Sequence, residues 1–194
     1  MANGYGWASG FWAGGIALGL IGFSLGSLAK ITLASDPPPT ANLPGVPYAP
    51  KLPVIDLKDP RGKPITPASL KNRPVVIIFS IPNPQHGKLQ DLWTQVLLQG
   101  TWPSQASLLL IEDMSQSLVA EFARIEMARK FKPGSRPMLL LDEQGKARTA
   151  LGVPKNQTVL LVYDAQGRLI HSDSQPPSPE AAKRVLTLVN RSTP

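Results

Sequence analysis

The chain of 194 residues contains no cysteine. That absence excludes a disulfide framework, a thiolate nucleophile and any cysteine-bound metal. It leaves the redox compartment open, because a chain without thiols is indifferent to it. Histidine is nearly missing as well. His86 and His171 are too few for a histidine-based metal site, and no cofactor is implied. No Gly-x-x-x-x-Gly-Lys phosphate loop occurs, and Gly134-Ser135-Arg136 does not replace one. Basic runs interleaved with stacking aromatics are lacking too, so nucleic acid is not an expected partner. Finally, charge is absent from the first 29 residues.

That uncharged stretch is long enough to cross a hydrocarbon core, which takes about 20 helical residues. A single transmembrane helix is expected over residues 1–30, with Tyr5–Ala29 as its apolar body. A secretory signal peptide would want a positive n-region, but the first cation is Lys30. Eight of the 16 glycines fall in residues 1–29, a density that needs a reason. Gly10 and Gly14, Gly15 and Gly19, and Gly22 and Gly26 are each four apart, which puts them on shared helix faces. Small residues at that spacing let another helix backbone approach closely. The expected partners are therefore the lipid bilayer and other membrane protein subunits, met through the glycine face. Tyr5, Trp7, Phe11 and Trp12 suit an interfacial aromatic belt.

Residues 31–53 form a proline-rich linker. Seven of the 19 residues from Ser35 to Pro53 are proline, which opposes both helix and central strand and favours an extended spacer. The formal charge of +7 lies wholly beyond residue 29. Such a balance suits a mixed solvated surface, an anionic membrane surface or an acidic partner.

From residue 54 to 194 the pattern is α/β. Val54–Leu57 reads as a short strand and Asp59-Pro60-Arg61-Gly62 as a turn. Val75–Ile81 is a continuous apolar run, suited to a strand covered on both faces. Lys88–Gln99 reads as a helix with Leu89, Leu92, Val96 and Leu97 inward, and Ser107–Ile111 as a second buried strand. Glu112-Asp113 reads as a solvated turn. A helix capped by Ser115 or Ser117 is expected to run to about Phe131, with Leu118, Val119, Phe122, Ile125 and Met127 as its apolar stripe. Arg124, Arg129, Lys130, Lys132 and Arg136 cluster on and after it. Met138–Leu141 and Val159–Tyr163 read as strands, the latter paired in a hairpin with Arg168–His171. Ser178-Pro179 opens a last helix, with Ala182, Val185, Leu186 and Val189 inward. His171 is expected on the surface.

Three stretches carry a resemblance to the thioredoxin superfamily, in the branch of the alkyl hydroperoxide reductase/thiol-specific antioxidant proteins and the membrane-anchored TlpA- and ResA-like proteins. Leu52–Leu70 looks like that branch's opening strand and hairpin, Arg73–Phe79 like its central strand, and Gly152–Leu169 like its cis-proline loop and closing hairpin. The resemblance implies a mixed sheet flanked by helices. It also implies a Cys-x-x-Cys pair just past the central strand, where a helix N-terminus lowers a thiol's pKa. Aligned without gaps, Pro84 and Gly87 take the two cysteine positions, and Gln157 stands where the family has its cis-proline, before Thr158. A chain without sulfur there cannot form the mixed disulfide of this chemistry. His86, in the first turn of that helix, is expected to be a neutral capping or exposed residue, with Ser80 and Thr158 nearby and no positioned acid.

These features lead to the expectation of a redox-inactive, membrane-anchored accessory subunit of a larger membrane complex, such as a respiratory or photosynthetic one, that is not an enzyme. The alternative is a tethered chaperone or assembly factor holding a client around Pro82–His86 and Gln157. Lys30 alone points to a cytoplasmic domain by the positive-inside rule. The resemblance points to a periplasmic one, and that placement is the one expected.

Overall fold

The computed structural model describes residues 47–65, 70–134 and 136–193. The expected membrane helix at 1–30, with Gly10, Gly14, Gly15, Gly19, Gly22 and Gly26, lies outside them. Among the described residues no helix is long and apolar enough to cross a membrane.

Val75–Ser80 forms β3, an inner strand of a seven-stranded mixed sheet. All six of its residues are buried, as a β-branched run covered on both faces should be. Ser107–Asp113 (β4) lies parallel to it on one side, followed by Met138–Asp142 (β5), also parallel. On the other side Val159–Tyr163 (β6) is antiparallel and pairs with Leu169–Asp173 (β7). The sheet closes beyond β5 with a small hairpin, Leu57–Lys58 (β1) and Pro64–Ile65 (β2), giving the order β2-β1-β5-β4-β3-β6-β7. The first strand is later than expected: Val54 is 80% exposed and unpaired in the sheet.

Alternation along the strands divides the core in two. Val75, Ile77, Phe79, Leu109, Ile111, Leu161 and Tyr163 face one layer. It is closed by Ala147 and Leu151 of a short helix α3 (Lys146–Leu151), with the partly buried Tyr48, Leu52 and Ile55 packed against it. Val76, Ile78, Leu108, Leu110, Leu160 and Val162 face the other layer, beneath α1 (Pro84–Gln99) and α4 (Pro179–Arg191). The incoming segment is bound along its length. Ala49 N–H donates to Leu151 O (2.9 Å), Leu52 N–H to Gly167 O (2.7 Å), and Leu169 N–H to Pro50 O (2.9 Å). Residues 47–53, linker by composition, are thus strapped onto the domain.

Helix α1 starts four residues earlier than its apolar spacing suggests. Asn83 caps it, its side chain accepting from His86 N–H at 3.0 Å, and Pro84 at the first position has the φ a helix needs. The face it buries carries Gln90, Trp93, Thr94 and Leu97, while Leu92 is 39% exposed. Trp93 is one of the largest fully buried side chains, its indole N–H donating to Gln175 O at 3.0 Å. α4 follows its expected pattern, with Ser178 as cap and Ala182, Val185 and Val189 buried.

The intervening helix departs most from expectation. A 3-10 turn at Met114–Gln116 precedes α2, which runs only over Ala120–Lys130. Ala123 and Met127 face inward against Met114 and Leu141. Leu118, Val119, Phe122 and Ile125 are instead exposed at 104%, 49%, 64% and 51%. Only a narrow face of this short helix meets the sheet: Ala123 and Met127, four residues apart, pack on Met114 and Leu141, and the rest of the expected stripe lies off that face.

Candidate functional site

The parallel strand β3 ends at Ser80, and the chain turns through Ile81, Pro82 and Asn83 into α1. A helix N-terminus therefore stands at the C-terminal edge of the sheet, where its unpaired N–H groups create a partial positive charge. Pro84 and Gly87 occupy its first turn, Pro84 exposed and Gly87 buried. A Cβ built on Gly87 meets nothing within 4 Å, so the position has room for a side chain it does not carry.

His86 connects this turn to the loop before β6. Its Nδ1 lies 2.7 Å from Thr158 Oγ1, the hydroxyl donating or accepting according to the ring tautomer. Thr158 is buried, and the residue before it, Gln157, is half-buried. The structure therefore brings Pro84, His86 and Gly87 to the same place as Gln157 and Thr158. Burial pushes the pKa of His86 below its ordinary 6.5. Desolvation, which disfavours the charged ring, is the cause. Ser80 does not join it: that hydroxyl is fully buried and donates to Ile81 O at 3.5 Å. Gln157 in turn is hydrogen-bonded to the Tyr48 phenol, whose pKa is raised by burial despite that bond. Among the described residues one peptide is cis, Arg136-Pro137, ahead of β5 and far along the chain from Gln157.

Beneath α1 sits a group that sequence reasoning placed in solvent. Glu112 and Asp113 end β4 and are 5% and 0% exposed, a buried pair and not a solvated turn. Glu112 opposes Ser80 in the parallel register and shares the sheet face of Leu108 and Leu110. Among the described residues its Oε2 has no hydrogen-bond partner. Burial raises its pKa to about 7; Gln90 offsets part of that shift, and the charges of Asp91 and Asp113 add to it. Asp113 points to the other face, where it pairs with Arg148 Nε at 3.1 Å and accepts from Ser115 N–H and the Gln116 amide. Only the strand length hinted at this: ending β4 at Ile111 put both carboxylates outside, and two further ladder pairs put them inside. His171, expected on the surface, is half-buried in β7, with Nε2 inaccessible and its pKa lowered by burial.

As chemistry, the site offers a neutral imidazole bonded to a hydroxyl, two amides and a buried carboxyl. The acid and the imidazole are not shown in contact, so no nucleophile–base–acid relay is assembled. Among the described residues no group of three or more histidines and carboxylates is placed to hold a metal.

With this geometry in place, comparison with solved structures defines the class. A secreted thiol-disulfide isomerase from Corynebacterium glutamicum superposes with a TM-score of 0.55 at 18% identity, over 72% of this chain and 85% of that one. A DsbF homologue from Corynebacterium diphtheriae gives 0.55 at 17%, over 73% and 87%. The thioredoxin domain of a thiol-disulfide oxidoreductase from Bacteroides vulgatus gives 0.55 at 12%, over 74% and 98%. No protein-family model matches the chain, and no curated protein matches it in sequence. The fold is thioredoxin-like. Within that fold the present chain is a cysteine-free representative, with proline and glycine in the first turn of α1.

Proposed function

We propose that this protein is a membrane-anchored, non-catalytic subunit of a larger membrane assembly, in which the thioredoxin-like domain binds and braces an extramembrane surface. One observation carries the reading: the helix turn and facing loop hold Pro84, Gly87 and Gln157, in a chain without a single sulfur nucleophile. Thiol-disulfide exchange proceeds through a mixed disulfide, so the chain has no means of performing it. The polar groups that remain are tied to one another, His86 to Thr158 and Gln157 to Tyr48. The glycine stripe at Gly10, Gly14, Gly15, Gly19, Gly22 and Gly26 supplies the contact with partner helices. The proposal puts the domain on the periplasmic side; that one structural neighbour is described as secreted supports this reading.

The test is purification of the tagged full chain from its native membranes in mild detergent. Partner membrane proteins are expected to co-purify in fixed proportion. Gly15→Leu with Gly19→Leu is expected to release them while leaving the chain in the membrane. Retention of the partners by the double variant would remove the helix-packing argument. Robust disulfide reductase or peroxidase turnover by the pure protein would overturn the non-catalytic reading.

A further inference from the structure

Among the described residues, large apolar side chains on α2 and in the turn before it are left exposed, and their position says what they meet. Phe122 and Ile125 lie on α2, and Leu118 and Val119 in the turn that leads into it. Five cations and two carboxylates lie between Leu118 and Arg136. Each carboxylate pairs with one of those cations, Glu121 with Arg124 and Glu126 with Arg129 at 2.6 Å, which leaves the segment a net positive charge from Lys130, Lys132 and Arg136. An apolar strip bordered by basic residues fits the headgroup boundary of an anionic bilayer, where aliphatic and aromatic side chains enter the acyl region and cations stay with phosphates.

The direction from which the chain arrives supports the same occupant. The first described residue, Pro47, lies against Gly152: its carbonyl oxygen would stand 2.3 Å from a Cβ built there. Four residues on, Asn156 N–H donates to Gln116 Oε1 at 3.1 Å, and Gln116 is two residues from Leu118. The point of entry, the exposed Lys155 and the start of the apolar face therefore share one end of the domain. From Lys30 to Pro47 the spacer has 17 steps, at most about 53 Å if fully extended at roughly 3.1 Å per residue. A tethered domain within that reach presents this end to the bilayer first.

Resting on the membrane-anchored reading above, we propose that the Leu118–Ile125 face seats on an anionic lipid surface. The contact fixes the domain's orientation beside its own anchor. Seating is reversible, because four side chains and a few cations give a modest, salt-screened affinity that the covalent tether raises locally.

The absence of cysteine makes the test direct. Full-length Phe122→Cys and, independently, Leu118→Cys carry a single nitroxide label without background, as does Gln166→Cys on the exposed β6–β7 turn. Each is reconstituted into vesicles of phosphatidylcholine, with or without phosphatidylglycerol. Flotation confirms insertion, and relaxation by oxygen is compared with relaxation by a water-soluble nickel chelate. At 118 and 122 the oxygen-to-nickel ratio is expected to rise severalfold in the anionic vesicles and to fall back in high salt. At 166 it is expected to stay low. Labels at 118 and 122 that remain open to nickel in floated vesicles would overturn the lipid contact while leaving the anchor intact. Shielding from both reagents would overturn it too, in favour of coverage by protein. A chain that fails to float overturns the anchor reading and this inference together.

Discussion

Glu112 shows how much a single buried proton can weigh. Its folded pKa of about 7 stands above the ordinary 4.5, so the native state holds a proton the unfolded chain has lost. The stabilisation is complete below pH 4.5 and disappears as pH rises through 7. A shift of that size corresponds to up to about 3 kcal/mol between the two limits. Glu112→Gln keeps the shape and removes the charge. Denaturant unfolding of wild type and variant across pH 4 to 8 is expected to show the variant gaining stability relative to wild type as pH rises, most of it between 4.5 and 7. His86 contributes with the opposite sign: its depressed pKa means stability is lost as pH falls through the ordinary 6.5 and below. Thr158→Val deletes the bond to that ring and is expected to cost about 1 kcal/mol by the same measurement. His86 and Thr158 meet across the fold, and motif order along the sequence is what singled out Pro84, Gly87 and Gln157 beside them. It did not reveal Glu112, since an acid pair at the end of an apolar run has the same letters whether the strand stops before it or after it.

At the scale of the element, apolar spacing was a good guide in α4 and a poor one in α1 and α2. In α4 the stripe Ala182, Val185 and Val189 is the buried one. In α2, of the expected stripe Met127 alone is buried, beside Ala123, while Leu118, Val119, Phe122 and Ile125 are exposed. Substitution tests that orientation. Ile125→Ala is expected to change stability by less than about 0.5 kcal/mol, as exposed positions do. Met127→Ala, on the buried side, is expected to cost roughly 2 kcal/mol or more. Equal effects would mean the helix is rotated. Helix α1 offers a second case. Gly87 lies in its first turns with open space around the missing Cβ, so Gly87→Ala is expected to stabilise by about 0.5–1 kcal/mol. Asn83→Ala removes the cap and is expected to cost about 1 kcal/mol. The start of α1 was missed because Pro84 reads as a breaker inside a helix and as a starter at its first position.

For the whole molecule, the mixed sheet with helices on both sides was legible in the order of apolar runs and turns, from Val75 to Val189. The strap at residues 47–53 was not, because its backbone bonds to Leu151 and Gly167 leave no mark in a proline-rich composition. The domain is thioredoxin-like and free of cysteine, and the role proposed for it is association with partner membrane proteins. Size analysis of the native-membrane extract in mild detergent, with subunit counting, measures that most directly. The expected result is a particle much heavier than one 20.9 kDa chain in its micelle, with partner subunits in constant ratio across preparations. A monodisperse single chain, with no membrane protein travelling beside it, would contradict it.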